Sequence, residues 1–381
     1  MSSNILHVFS VPFSINYFVG EQFIYLNKKK GNNYFVSCSN PEELKILSQK
    51  LNFHPLPVEI KRSTDPLSDI KAIFSLYKII KEKEINKIVG HSPKGAMVAM
   101  IAGKLAGLNT RIYFRHGIFY ETTHGYKRML LKNIDRLSGN LASKVVCVSN
   151  AVKKISEQDK LNSKNKNIIL GSGTCNGVDS TKQFNPCLKD SSEIDKLSKK
   201  LNIHENHFVV GFVGRIVKDK GIEDLIRAWK LVCLKHKNAK LLLIGPIEQR
   251  DAVSQDCLVE IQNNPSIILV GSVDDTSIYY KLMDVFVLPT YREGFPTVVL
   301  EASSMELPII VTKATGCEEA VIENETGLFT THDPFDITQN IEIFIKNPKM
   351  CNEFGKRGRE FVKNNFDQEI IWNIIDEILD I

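Results

Sequence analysis

Short apolar runs alternate with helical periodicities along this chain, and the series starts twice. In the first half, residues 5–9 and 34–37 read as strands, and 19–30 as a helix between them. Apolar side chains at 67, 70, 73, 74, 76, 77, 79 and 80 give residues 67–83 a broad helical stripe. A strand at 87–90, a helix at 94–105 and strands at 111–114, 144–148 and 168–170 complete the first series. The polar, charged stretch 180–206, with Pro186 near its start, reads as a linker. The alternation then resumes with strands at 208–213, 240–244, 267–270, 285–288 and 309–312, and with helices at 222–234 and 297–305. Such alternation predicts an α/β protein of two Rossmann-like, doubly wound parallel-sheet domains. Their expected extents are 1–185 and 206–365, with a final helix in 366–381, carrying Ile371, Ile374, Ile375 and Ile378, that crosses back to the first domain. Doubly wound sheets place ligand crevices at the carboxyl ends of their strands.

Composition narrows the function classes. With 43% hydrophobic and 24% charged residues, the 381-residue chain resembles an ordinary globular protein. Charge is unevenly spread. Residues 1–185 hold 27 basic and 13 acidic side chains, a net +14, while the remainder holds 22 and 31, a net −9. That asymmetry points to an anionic partner for the first half, such as anionic lipid headgroups or a phosphorylated substrate. A solvated lysine-rich surface accounts for the same count. The eight cysteines are isolated, without zinc-ligand spacing, and read as reduced thiols of a cytoplasmic protein. The uncharged stretch 2–20 is interrupted by Pro12, Asn4, Asn16, His7 and serines, which argues against a membrane span and for a buried strand and a loop.

Two elements carry chemistry. In the first, DVFVLPTYREGFPTVVLEASSMELPIIVT (284–312), a buried strand ends at Pro289 and a short loop carries Glu293, Gly294 and Phe295. Pro296 is expected at the first helical position, followed by Thr297. Free amides from 294 to 298 at that helix start form a ready diphosphate site. Glu293 is placed to accept from sugar hydroxyls, and Glu301, eight residues on, from ribose hydroxyls. The helix dipole also favours carboxylates there without any ligand. In the second element, FVGRIVKDKGIEDLI (212–226), Arg215 and Lys220 flank a strand–helix turn and can grip the same diphosphate, while Lys218 reads as a surface residue.

Together these elements resemble the signature of glycosyltransferase family 4, retaining enzymes of the GT-B fold, in which two Rossmann-like domains face each other across a cleft. NGVDSTKQFNP (176–186), KLLLIG (240–245), IILVGS (267–272) and ATGCEEAVIENETGLF (314–329) are similar to further family segments, with Thr315 where many relatives have the first glycine of a pair. HSPKG (91–95) and RHG (115–117) resemble bacterial members that build capsule, O-antigen or exopolysaccharide on a lipid carrier. The resemblance implies transfer of a sugar from a nucleoside-diphosphate sugar, a UDP-sugar foremost, to a glycan or polyprenyl-diphosphate-linked acceptor, with retention. It implies that Arg215 and Lys220 bind the diphosphate, that Glu293, Gly294 and Phe295 contact the donor sugar, and that Glu301 holds the ribose. It puts His116 near the reactive carbon, and makes His91, Lys94 and Arg115 candidates for acceptor or donor-sugar contacts.

No Asp-x-Asp motif occurs, so neither metal nor cofactor is expected. The expected location is the inner face of the cytoplasmic membrane. Lys127, Arg128, Lys132 and Arg136, on a helix at 125–141, are the candidate lipid contacts, and Met129, Leu130 and Leu137 are expected to pack inward. A sugar-nucleotide epimerase of the same fold is the competing reading. A basic nucleic-acid-binding protein ranks lower, because the lysines lack interleaved aromatics. The Gly-rich run 171–177 does not have dinucleotide-fingerprint spacing, and 9–18 has no glycine, which excludes a nicotinamide site after the first strand.

Overall fold

The computed structural model describes residues 3–380 apart from Arg62, Thr64 and Arg250. The chain forms two compact units, Met1–Gly177 with Glu369–Ile381, and Val178–Gln368.

Unit 1 runs β1 (Asn4–Val8), α1 (Phe13–Phe18), α2 (Gln22–Lys30), β2 (Asn33–Ser37), α3 (Pro41–Leu51), β3 (His54–Pro55), α4 (Pro66–Glu82), β4 (Lys87–His91), α5 (Pro93–Leu105), β5 (Thr110–Arg115), α6 (Gly125–Leu141), β6 (Lys144–Cys147), α7 (Asn150–Gln158) and β7 (Asn167–Ile168). Its seven strands pair in parallel in the order β3-β2-β1-β4-β5-β6-β7. The winding direction reverses between β1 and β4, so their carboxyl ends frame the crevice of this unit. The helix read at 19–30 is α2, which starts only at Gln22, and α1 lies in the stretch read as a loop. The chain breaks at Gly20, whose φ of +51° is left-handed.

Unit 2 runs α8 (Ser191–Lys200), β8 (Phe208–Val213), α9 (Ile222–Lys235), β9 (Ala239–Ile244), α10 (Gln255–Asn263), β10 (Ile267–Gly271), α11 (Ser277–Tyr280), β11 (Val285–Leu288), α12 (Thr297–Ser304), β12 (Ile309–Thr312), β13 (Gly327–Thr330), α13 (Pro334–Lys346) and α14 (Pro348–Asn365). Its sheet is parallel, ordered β10-β9-β8-β11-β12-β13, with the reversal between β8 and β11. α15 (Gln368–Leu379) then belongs, from Glu369 on, to unit 1. There Trp372 donates to Asn176 Oδ1 at 2.7 Å, and Asp376 takes Lys29 and Lys30 at 3.1 and 2.9 Å. The last residue of the helix read at 366–381, Ile381, lies outside the described residues.

The stretch read as a linker is part of unit 2. Asp190 caps α8 by accepting from Ser192 N at 2.8 Å, and Arg359 holds the carbonyls of Phe184 and Ser180 at 3.1 Å each. Its polarity reflects a short surface helix, whose packing face is too narrow to register as a stripe.

Candidate functional site

In unit 2 the two loops leaving the switch-point strands β8 and β11 are tied together by one residue. The Asp219 carbonyl accepts from Tyr291 N at 3.0 Å, and its carboxylate pairs with Arg292 at 2.9 Å. Gly221, at φ +70°, ends the first loop where a Cβ would collide with the Pro289 carbonyl of the second. This contact brings Lys220 and Glu293 together as an ion pair, although they stand 73 residues apart. Both are largely buried, at 17% and 14% side-chain exposure, whereas Lys218 is exposed.

A third loop supports Glu293 from below. Glu293 N donates to Thr315 O at 3.2 Å, and Gly316, at φ +78°, lies where a Cβ would run into the Gly294 carbonyl. Only the second glycine of the family's pair is sterically required here, so Thr315 is accommodated.

α12 begins at Thr297, with Pro296 at the N-cap rather than at the first helical position, and no side chain caps it. Pro296 has no N–H, and Thr297 N donates to Phe295 O at 3.1 Å. The expected row of free amides from 294 to 298 is therefore reduced by these two. The uncapped helix start still favours an anion. The Phe295 ring packs inward, 5.3 Å from Phe366, which leaves its backbone for any ligand contact.

One turn deeper, Glu301 Oε2 accepts from the Tyr280 hydroxyl at 2.9 Å. Burial pushes the Glu301 carboxyl up to about 7, against the lowering effect of that bond. Arg215 is drawn elsewhere. Its guanidinium is exposed and pairs with Glu248 at 3.0 Å. Tyr280, Asp219, Arg292 and Glu248 were not legible in the sequence, because nothing in their spacing marks them.

In unit 1 the crevice holds His91, the last residue of β4, and His116, just after β5. His91 Nδ1 and His116 Nε2 are 3.1 Å apart, and the Phe18 ring stacks 3.6 Å from His116. Beneath them His7 Nδ1 lies 3.1 Å from His91 Nε2, a residue that sequence reasoning missed. Lys94, on α5, pairs with Asp69. Ser92 enters α5 with φ +62°, and Gly95 lets the helix start settle against the Val8 carbonyl.

Arg115 does not contact this crevice. It is fully buried, with Nε and Nη2 on Asp135 Oδ1 at 3.0 and 2.9 Å and Nη1 on Ser156 and Asn162 at 2.6 and 3.1 Å. Side chains alternate across a sheet, so Arg115 points opposite to Phe114 and His116. Part of the basic set on α6 is likewise committed. Lys132 pairs with Asp159 at 2.6 Å, and Arg136 donates to the Lys160 and Asp159 carbonyls at 3.2 and 3.1 Å. Lys127 and Arg128 are exposed, as are Met129 and Leu137, which do not pack inward.

The sequence matches two family models, "Glycosyl transferase 4-like" over residues 9–149 and "Glycosyl transferases group 1" over 193–361. It is 32% identical to the capsular polysaccharide biosynthesis glycosyltransferase CapM of Staphylococcus aureus over 99% of this chain and 97% of that protein. It is 26% identical to the UDP-Gal:alpha-D-GlcNAc-diphosphoundecaprenol alpha-1,3-galactosyltransferase of Escherichia coli, covering 84% of this chain and 81% of that one. The fold matches the crystal structure of Anabaena HepE in complex with UDP, with a TM-score of 0.81, 20% identity and full coverage of both chains. With two parallel Rossmann-like sheets, glycosyl transferase family models matched over residues 9–149 and 193–361, and a glycosyltransferase relative 32% identical over 99% of the chain, this protein belongs to the GT-B glycosyltransferases.

Proposed function

We propose that this glycosyltransferase moves a sugar from a UDP-sugar to a polyprenyl-diphosphate-linked saccharide, with retention at the anomeric carbon and without a catalytic metal. The observation that carries the reading is the Lys220–Glu293 pair beside the uncapped start of α12. When the donor binds, Lys220 turns to the diphosphate and Glu293 is freed for the sugar hydroxyls. Arg215 exchanges Glu248 for a phosphate oxygen, and Glu301 accepts the ribose hydroxyls. The bond from the anomeric carbon to the phosphate oxygen breaks as the acceptor oxygen attacks the same face. The acceptor proton passes to the leaving phosphate. Lys220, Arg215 and the helix dipole supply the positive charge that this departure requires. The E. coli relative, whose name specifies UDP-Gal and a diphosphoundecaprenol acceptor, supports the donor and acceptor classes.

Unit 1 is proposed to meet the anionic inner membrane surface where such acceptors lie. Among the described residues no helix is long and apolar enough to cross a membrane. Phe13, Phe119, Tyr126 and Met129 are exposed near the crevice loops, with Lys127 and Arg128 beside them. Exposed aromatic residues beside basic ones suit an interfacial contact.

The test is a panel of nucleotide sugars with and without a lipid-diphosphate saccharide. The expected result is acceptor-dependent release of nucleoside diphosphate and a product whose anomeric configuration matches the donor. Turnover of donor alone with inversion at another sugar carbon would establish the epimerase reading instead.

A further inference from the structure

The three histidines of unit 1 form a continuous chain. His7 Nδ1 meets His91 Nε2 at 3.1 Å, and His91 Nδ1 meets His116 Nε2 at 3.1 Å. The rings lie nearly parallel, 19° and 18° apart, with His91 stacked 4.2 Å from Phe9 and His116 stacked on Phe18. Both ends are open. His7 Nε2, at the inner end beside Phe23, and His116 Nδ1, at the outer end, are buried and have no partner.

A neutral imidazole carries one proton, on one nitrogen or the other. Two hydrogen bonds among three neutral rings therefore allow only two arrangements, in which all three tautomers point the same way. In one, every ring is protonated on Nε2, which leaves an unbonded N–H at His7 in the core. In the other, every ring is protonated on Nδ1, which leaves an unbonded lone pair in the core and an N–H at His116. Each arrangement leaves one N–H and one lone pair without a partner, so the difference between the two ends decides. His7 is 2% exposed and lies in the core, whereas His116 is half-buried at the crevice, where a ligand oxygen can accept its N–H. An N–H orphaned in the core is costlier than an under-satisfied acceptor there, so the second arrangement wins.

We infer that His7 and His91 are positioning residues that lock His116 as the Nδ1–H tautomer, making it a fixed neutral hydrogen-bond donor to a substrate oxygen rather than a proton acceptor. Burial supports neutrality. It lowers His7 and His116 to about 3 and His91 well below its ordinary value. The ligand class is an oxygen acceptor, such as a sugar hydroxyl or a phosphate. The functional part of this inference rests on the proposed place of His116 beside the transferred sugar.

The test is nitrogen NMR of the histidine-labelled full chain at pH 7, which distinguishes protonated from unprotonated ring nitrogens. All three rings should show Nδ1 protonated and Nε2 bare. His91→Asn keeps an N–H donor at the Nδ1 position, so His116 should keep its tautomer. His91→Leu removes that donor, and His116 should become a tautomer mixture. His7→Gln provides a milder probe should His91→Leu unfold. Transfer should fall on the order of tenfold in kcat in His91→Leu, with donor KM little changed, and return in His91→Asn. A protonated Nε2 on His116 in the wild type, an imidazolium, or an unchanged tautomer in folded His91→Leu overturns the inference. The expected tautomers combined with unimpaired transfer in His91→Leu would leave the lock standing and remove His116 from the reaction.

Discussion

The Tyr280 hydroxyl donates to Glu301 Oε2 at 2.9 Å, one turn into α12, the helix whose uncapped start is the proposed anion site. That bond holds a carboxylate which burial would otherwise drive toward its neutral form.

The first prediction concerns pH. With its carboxyl raised to about 7, Glu301 is roughly half protonated at neutral pH in the free protein. In the proposed ribose contact the ionised form, with no proton of its own, is the better acceptor for both hydroxyls of the diol, so nucleotide binding should expel the proton. Affinity for UDP should be flat above about pH 7 and fall up to about tenfold per pH unit below it. Calorimetry at pH 7 in buffers of different ionisation heat should show roughly half a proton released. Glu301→Gln should weaken UDP and abolish the proton release. The stability sign is opposite to that of a paired acid. A raised carboxyl contributes stability below its unfolded value and loses it as pH climbs through 7.

Removing Lys220 should be far worse than removing Lys218. Lys220→Ala deletes a charge from the largely buried pair and should cost on the order of 10²–10³ in kcat, while exposed Lys218→Ala stays near wild type. Steady-state rates with intact thermal unfolding decide the matter; equal effects would remove Lys220 from the diphosphate site.

Glu293→Gln should separate from Glu301→Gln. It should impair transfer with little change in UDP affinity, because its proposed partner is the sugar. A reversed pattern in calorimetry would mean that the pocket is occupied the other way round.

Arg115 is expected to act on stability rather than chemistry. Arg115→Met strands Asp135 in the core, and breaking a buried pair costs about 3–5 kcal/mol. Denaturant unfolding should show that loss, and kcat per folded molecule should be unchanged.

For the membrane surface, Lys127→Glu with Arg128→Glu should lower co-sedimentation with anionic vesicles, most clearly at low salt. Lys132→Ala should not, since its ammonium is held by Asp159. Equal binding to neutral and anionic vesicles would sink the electrostatic part of the proposal.

Several elements were legible in local pattern. Strands β8, β11 and β12 and helix α6 occupy the residues that the periodicity assigned them. Their signals are strong because buried parallel strands are continuous apolar runs. Helices α3, α7, α10, α13 and α14 and strand β13 were not read. α14 carries its packing face on Phe354, Gly355, Gly358 and Val362, two of them glycines with no apolar side chain to count.

The sequence by itself determined that a strand, a loop with Glu293 and a helix follow one another, because hydrophobic period and turn chemistry are local. It could not determine partners. Arg215 and Lys220 looked like one clamp, yet the first pairs with Glu248 and the second with Glu293. Arg115 and His116, adjacent in the chain, go to a buried ion pair and to a histidine chain. Those choices belong to the tertiary structure. The order of strands in the sheet decides which loops meet, and the alternation of side chains across a strand decides which of two neighbours enters the crevice.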